Sequence, residues 1–149
     1  GRTVGRGLMF LDASVVAAVL LQEEDGPAFL KAMEAARGSL RYSPIVRLEA
    51  TLALVRKRVE RRGKGPATAE DFAAATDLVD ELLKELEAKE MHITGSMGAE
   101  AIRALSVYGK MVGHPAQLNM GDALSYACAK AFHVPLLYKG GDFSETDLA

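Results

Sequence analysis

Four acidic residues stand at positions where an α/β fold would bring them together. Asp12 and Asp142 each follow a short apolar segment that is typical of a strand. Glu49 and Asp122 lie early in two amphipathic helices, and Asn119 is placed to cap the second of them. In a parallel sheet, acids beyond the C-terminal ends of strands meet acids near the N-terminal ends of helices at the edge where ligands bind. We therefore expect these four side chains to converge.

Convergent carboxylates have a specific chemistry. They repel one another unless they are protonated or neutralised by cations, and hard oxygen ligands suit Mg²⁺ or Mn²⁺. Such ions generate a hydroxide nucleophile and stabilise the attacking and leaving oxygens of a phosphodiester. The pattern thus predicts metal-assisted phosphodiester hydrolysis. Each acid alone also has a structural explanation, as a helix cap, a solvated helix residue or a turn residue, and the three histidines are scattered without metal-ligand spacing.

The predicted fold is a three-layer α/β/α domain with a central parallel sheet of four or five short strands, because short apolar strands alternate with helices along the chain. The predicted strands are residues 8–11, 40–43, 91–94 and 134–138. The predicted helices cover about residues 14–22, 27–37, 45–61 and 99–108, together with a long helix capped by Thr68 and a last helix from Asn119 to about His133.

Length and composition suit one domain with a real core, since 49% of the 149 residues are hydrophobic and 26% are charged. Residues 1–8, rich in Gly and Arg, are expected to be a flexible lead-in or a cloning remnant, and residues 9–149 a single domain. Cys128 is the single cysteine and is expected to be buried, which fits a reducing cytoplasm. The apolar run 13–21 is too short to span a bilayer, so we expect no membrane contact.

The segment from Arg41 to Lys64 is strongly basic, although the net charge of the whole chain is −2. It holds eight basic residues against two acidic ones. Such a stripe attracts phosphate backbones, and Arg47, Arg56 and Lys57 are the predicted nucleic-acid contacts. The alternative is a solvated helix end, where cations near the C-terminus are favoured in any case.

Four motifs together resemble the PIN-domain ribonucleases of the VapC toxin type. They are LDAS at 11–14, PIVRLEATLAL around Glu49, LNMGDALSYA at 118–127 and LLYKGGDFSETDL at 136–148, and the similarity runs from about residue 9 to residue 148. The resemblance implies a central parallel sheet, an acidic metal site and Mg²⁺- or Mn²⁺-dependent RNA endonuclease activity. It also implies the role of toxin in a type II toxin–antitoxin pair, inhibited by a small cognate antitoxin protein.

Carried over residue by residue, the resemblance makes the four convergent acids the catalytic and metal-binding residues: Asp12, Glu49, Asp122 and Asp142. Ser14 matches the small hydroxyl residue near the first acid of the family, and Asp147 matches a further acid of the closing motif. The two glycines after Lys139 are a mild departure from the family pattern that removes none of the acids.

Two other interpretations stay open. A phospho-accepting receiver domain also has a doubly wound sheet, acids at strand ends and a lysine such as Lys139 after a late strand. Such a domain needs an adjacent pair of acids after its first strand, and Leu11-Asp12-Ala13 offers one acid. The other interpretation is a PIN-like module that has lost catalysis and only binds RNA or protein. The presence of all four acids counts against it.

Apolar surface predicts protein partners. The run 15–21 and a stripe on the long acidic helix offer more hydrophobic surface than one small sheet needs. The stripe comprises Phe72, Ala75, Val79, Leu82 and Leu86. We expect a homodimer and a groove that takes a helical antitoxin segment, with a basic antitoxin side chain reaching the acids.

Overall fold

A four-stranded parallel sheet lies at the centre of the computed structural model, which describes residues 8–148 apart from the side chain of Asp142. The strands are β1 (Met9–Leu11), β2 (Leu40–Tyr42), β3 (Lys89–Glu90) and β4 (Leu136–Leu137). Their order across the sheet is β3-β2-β1-β4, and each neighbouring pair is parallel. The expected lead-in at residues 1–8 lies, apart from Leu8, outside the described residues.

Six α-helices connect and cover the strands in the described part of the chain. They are α1 (Ala13–Leu20), α2 (Gly26–Ala35), α3 (Pro44–Arg62), α4 (Ala69–Glu85), α5 (Gly95–Tyr108) and α6 (Met120–Phe132). Short 3-10 helices cover Lys110–Val112 and Asp142–Glu145. None of the helices in residues 8–148 is long and apolar enough to cross a membrane.

Local sequence explains where the long helices start and stop. Thr68 and Asn119 each cap a helix through a reciprocal capping box, so the orphan N–H groups of α4 and α6 are satisfied. Pro44 occupies the first turn of α3, where its missing N–H costs nothing. Gly63 ends α3 with φ at 83°, a left-handed conformation that favours glycine.

The sheet separates two hydrophobic clusters, because successive strand residues point to opposite faces. Phe10 and Leu11 are both fully buried, and each belongs to a different cluster. Leu11 packs with residues of α1 to α4, whereas Phe10 packs with residues of α5 and α6. The predicted three-layer α/β/α architecture is thus confirmed. Cys128 is buried in the second cluster, and burial raises the pKa of its thiol to about 11.

The strand predicted at residues 91–94 was wrong, because β3 is Lys89–Glu90. This strand lies at the exposed edge of the sheet, so charged residues form it without an apolar signal. Met91 and Ile93, which suggested a strand, lie beyond the end of β3 and pack against the cluster of α5 and α6, although the Met91 N–H still donates to the Tyr42 carbonyl of β2 at 2.8 Å. α5 also starts earlier than predicted, at Gly95, because Thr94 caps it by accepting the N–H of Met97.

Candidate active site

Asp12 is fixed where the central strand β1 passes into α1. It is the N-cap of α1, and its Oδ2 accepts the N–H of Ser14 at 3.1 Å. Its own N–H donates to the carbonyl of Leu137 at 3.0 Å, which ties it to β4 as well. The residue is 6% exposed. An acid with this burial, at the C-terminal ends of the neighbouring strands β1 and β4, has the position expected of a ligand-binding residue.

The Glu49 carboxylate lies directly against the backbone of Gly121, the second residue of α6. A Cβ built on Gly121 would overlap the carboxylate of Glu49. Gly121 is buried and helical, so any residue other than glycine there would push the acid away. The position of the Glu49 carboxylate therefore depends on this glycine.

Burial raises the pKa of Glu49, and the negative charge of Asp12 raises it further. Arg56, two turns along the same helix, acts in the opposite direction. The negative charges of Asp12 and Glu49 thus repel each other. A cation placed between them would remove the repulsion.

Asp122 follows Gly121 and occupies the first turn of α6. Its Oδ2 accepts the N–H of Asn119 at 3.1 Å, and its own N–H donates to Asn119 Oδ1 at 2.9 Å. The side chain is half-buried. Because Gly121 is its neighbour, the packing that holds Glu49 also brings α3 to the turn that carries Asp122.

The chain after β4 returns to the same edge. Lys139 donates its backbone N–H to Ser14 Oγ at 3.0 Å, so this segment is bound to the start of α1 beside Asp12. Gly140 and Gly141 follow, and Asp142 begins a 3-10 helix. The side chain of Asp142 lies outside the described part of the structure, so its role as a fourth acid stays a prediction.

The donor chemistry at this edge suits a hard divalent cation. Asp12, Glu49 and Asp122 offer carboxylate oxygens, and the repulsion between the first two marks a place for positive charge. Among the side chains that the structure describes, no three acids, histidines or cysteines form a group tight enough to hold a metal ion. We call Asp12, Glu49, Asp122 and the backbone segment 139–142 the acid edge.

Asp147, a further predicted ligand, has other contacts. It accepts a hydrogen bond from the Tyr126 hydroxyl at 2.6 Å and one from Lys130 Nζ at 2.7 Å. Lys130 is eight residues after Asp122, or about 12 Å along the axis of α6 at 1.5 Å per residue. These contacts attach the end of the chain to α6 and favour a structural role for Asp147.

Acidic residues of α4 partly neutralise the basic stripe of α3. The distribution of charge along the sequence did not predict this pairing. Arg47 makes a two-pronged ion pair with Asp80, at 2.7 and 2.8 Å. That pairing holds the pKa of the Asp80 carboxyl below its usual value. Lys57 lies 3.5 Å from Glu60 in a partly exposed pair. Arg56 is exposed and lies on the same helical face as Glu49.

Comparison with known proteins identifies the class that this fold and edge define. The family model of the PIN domain matches residues 9–148, nearly the whole chain. The chain therefore belongs to the PIN-domain family.

Within that family, it belongs with the VapC ribonucleases. It is 43% identical over 142 residues to a VapC ribonuclease of Rhizobium meliloti (strain 1021), which covers 95% of this chain and 99% of that protein. It is 34% identical over 138 residues to ribonuclease VapC28 of Mycobacterium tuberculosis (strain ATCC 25618 / H37Rv), covering 93% of each. The crystal structure of Mycobacterium tuberculosis VapC20, a sarcin-ricin loop cleaving toxin, superposes with a TM-score of 0.64. The superposition covers 91% of this chain and 92% of the VapC20 chain. The two sequences are 16% identical, so the comparison supports the fold. The predicted family is thus confirmed.

Proposed function

We propose that this VapC-family ribonuclease cuts RNA with Mg²⁺ or Mn²⁺ held by Asp12, Glu49, Asp122 and Asp142. The observation that carries the proposal is the placement of Glu49. Its carboxylate is packed against Gly121 of α6, and it senses the charge of Asp12 of α1. Two acids that repel each other at the strand ends of an α/β sheet are stabilised when a cation binds between them.

A bound divalent ion would supply an activated water and positive charge for the phosphate. The residues of the chain supply rigidity. Asp12 is fixed by its bonds with Ser14 and Leu137, and Asp122 by the capping box of α6. Glu49 is confined by the backbone of Gly121. Such preorganised acids do not need to be gathered at the moment of reaction.

Metal dependence is tested by incubating the purified protein with an end-labelled RNA in EDTA and then restoring Mg²⁺ or Mn²⁺. The proposal predicts no cleavage in EDTA and internal cuts after either ion is added. Equal cleavage in EDTA would contradict the proposal. Binding of RNA with no cleavage in any ion would favour the inactive PIN-like module. We infer that an activity on cellular RNA operates in the cytoplasm.

RNA passes the acid edge along α3 in this proposal. Arg56 is seven residues beyond Glu49, about 10 Å along the helix axis, so it is placed to contact a phosphate that flanks the cut bond. Lys57 is next to it and is only loosely held by Glu60. Arg47 is the least suited of the three predicted contacts, because Asp80 occupies both prongs of its guanidinium.

The proposed antitoxin site is a groove between the end of α1, α3 and α4. Its apolar lining is Leu20, Leu21, Leu54 and Leu78, and its basic rim is Lys57, Arg58 and Arg61. The apolar stripe predicted on α4 offers little surface to a partner, because Ala75, Val79 and Leu86 are buried in the core. A helical antitoxin segment with leucine-like residues on one face and acids beside them fits this groove. Leu78→Asp, at a 46% exposed position, should weaken antitoxin capture without slowing RNA cleavage.

The proposed homodimer uses a different surface, which we call the Met111 patch. Met111 is fully exposed, Val112 is 56% exposed and Met120 is 70% exposed. They border a hollow of about 560 Å³ with Leu105 and Leu118 in its lining. A protruding side chain beside an apolar hollow gives the self-complementary surface that a two-fold dimer requires. Sedimentation should show a dimer that Met111→Glu converts to a monomer, and a monomeric wild-type protein would contradict this part of the proposal.

A further inference from the structure

Lys139 is anchored through both its backbone and its side chain to parts of the chain far away in sequence. Its backbone N–H donates to Ser14 Oγ at 3.0 Å. Its Nζ lies 2.5 Å from Glu23 Oε1 and 3.2 Å from Asp25 Oδ1. The lysine therefore connects the end of β4 with the start of α1 and with the turn that follows α1.

The turn that receives the Lys139 side chain is itself rigid. The Glu23 N–H donates to the carbonyl of Ala18 at 3.0 Å, and the Gly26 N–H donates to the carbonyl of Glu23 at 2.9 Å. A Cβ on Gly26 would come within 2.7 Å of the Ala18 carbonyl oxygen, so this turn packs closely on α1. An ion pair to Glu23 thus fixes Lys139 relative to α1.

The backbone bond of Lys139 leads to Asp12 through one residue. Ser14 donates its N–H to the Asp12 carboxylate and accepts the Lys139 N–H on its hydroxyl. After Lys139 the chain has two glycines, and Gly140 has φ at 89°. Glycines leave a backbone free to adopt many conformations, and Lys139 holds the chain immediately before them, while the buried Phe143 holds it after Asp142.

We propose that Lys139 is a positioning residue that sets the segment carrying Asp142 relative to Asp12. The inference rests on the proposed role of these acids in metal binding. Both ends of Lys139 contribute: the backbone bond sets the distance to Ser14, and the side-chain pair prevents the segment from rotating away. The Lys139 side chain is 37% exposed, so its ion pairs add little to stability, and the loss of Lys139 should affect the site more than the fold.

Lys139→Met tests the proposal, with Lys130→Met as a matched control. Lys130 is 36% exposed, and its ion pair with Asp147 at 2.7 Å lies away from the acid edge. We expect Lys139→Met to weaken Mn²⁺ binding, measured by calorimetry without RNA, by about tenfold or more, and to lower kcat at subsaturating Mn²⁺ similarly. The KM for RNA should stay unchanged, and Lys139→Arg should restore both quantities. Lys130→Met should change neither.

Three results would overturn the proposal. The first is wild-type Mn²⁺ affinity in Lys139→Met. The second is an equal loss in both lysine variants, which would indicate a general effect of lost ion pairs. The third is a raised KM with a reduced salt dependence, which would make Lys139 a phosphate contact. A wild-type protein that binds Mn²⁺ but does not cleave RNA would contradict the proposed function alone, because calorimetry still compares the variants.

Discussion

The carboxylate of Glu49 occupies the space beside Gly121 in which any other residue would carry its Cβ. This contact joins α3 to the first turn of α6, one residue before Asp122. The position of one acid thus depends on the absence of a side chain at a neighbouring position. Since Gly121 has an ordinary helical conformation, the demand for glycine here comes from packing and not from the backbone.

Gly121→Ala should therefore abolish RNA cleavage, because the new methyl group displaces the Glu49 carboxylate. The carboxylate is the far end of a flexible side chain that can move aside, and alanine in place of a helical glycine normally stabilises by about 0.5–1 kcal/mol, so the melting temperature should hold or rise. Gly98→Ala in α5 is the control, since a Cβ there meets nothing within 4 Å and should stabilise without loss of activity. Thermal unfolding and a cleavage assay on both variants check the prediction.

A double-mutant cycle locates the cause. In a Glu49→Ala background the space beside residue 121 is empty, so adding Gly121→Ala should stabilise the fold more than it does in the wild type. If Gly121→Ala changed the melting temperature equally in both backgrounds, the contact with Glu49 would not be the reason that glycine is needed.

Divalent ions should raise the melting temperature, since they bind the gathered acids of the folded chain and not the dispersed acids of the unfolded chain. At a hundred times its Kd, Mn²⁺ should raise Tm by roughly 5–10 °C, and it should act at least as strongly as Mg²⁺. Glu49→Gln should melt at or above the wild-type temperature without metal, because it removes a repelled charge, and should lose the response to Mn²⁺. A melting curve indifferent to millimolar Mn²⁺ would count against the metal site.

Arg56→Ala/Lys57→Ala should raise the KM for RNA more than it lowers kcat, because phosphate contacts hold the substrate without entering the chemistry. The dependence of binding on salt should also become shallower. Arg47→Ala makes the useful comparison: it should lower Tm through the loss of the Asp80 pair and leave the salt dependence nearly unchanged. The same KM and salt slope in the double variant and the wild type would make Arg56 and Lys57 ordinary solvated residues.

Asp71 should be a pH-dependent contributor to stability. Its buried carboxylate accepts hydrogen bonds from Arg62, Arg58 and the N–H of Thr68, and the Arg62 guanidinium in particular holds the pKa of Asp71 well below its usual range. A depressed carboxyl pKa stabilises the fold above the ordinary value of 3.8, and this stabilisation is lost as the pH falls below it.

Asp71→Asn should accordingly lower Tm by roughly 5 °C or more at pH 7, and the difference should narrow as the pH falls below 3.8. The exposed Asp77→Asn on the same helix is the control. Thermal unfolding of both variants and of the wild type at several pH values, extending below 3.8, measures both effects. A gap between Asp71→Asn and wild type that stays constant with pH would contradict the assigned ion pairs.

Local signals predicted the parts of the fold that depend on neighbouring residues. The caps Thr68 and Asn119 and the helix end at His133 were visible because capping is a property of a few adjacent side chains. The edge strand Lys89–Glu90 could not be predicted from the sequence. It is held by backbone hydrogen bonds to β2, and two charged residues carry no alternation of apolar and polar side chains that would indicate a strand.

The residues of the site also divide into those that local sequence predicts and those that distant contacts determine. Asp12, Glu49 and Asp122 could be assigned to the ends of strands and helices from sequence, and their sequence motifs matched a family. The need for glycine at position 121 and the anchoring of Lys139 could not, because both come from residues more than 70 positions away along the chain. The pairing of Arg47 with Asp80 was missed for the same reason, since charge counting treats one helix at a time.

Cleavage of one end-labelled RNA by the amide variants of the four acids tests the central claim most directly. The variants are Asp12→Asn, Glu49→Gln, Asp122→Asn and Asp142→Asn, measured at saturating Mg²⁺ with Asp147→Asn as the comparison acid outside the acid edge. We predict that each of the four slows cleavage by about a hundredfold or more while the chain stays folded, and that Asp147→Asn still cuts. Near-normal turnover in any two of the four would contradict the assignment of these acids as the metal site.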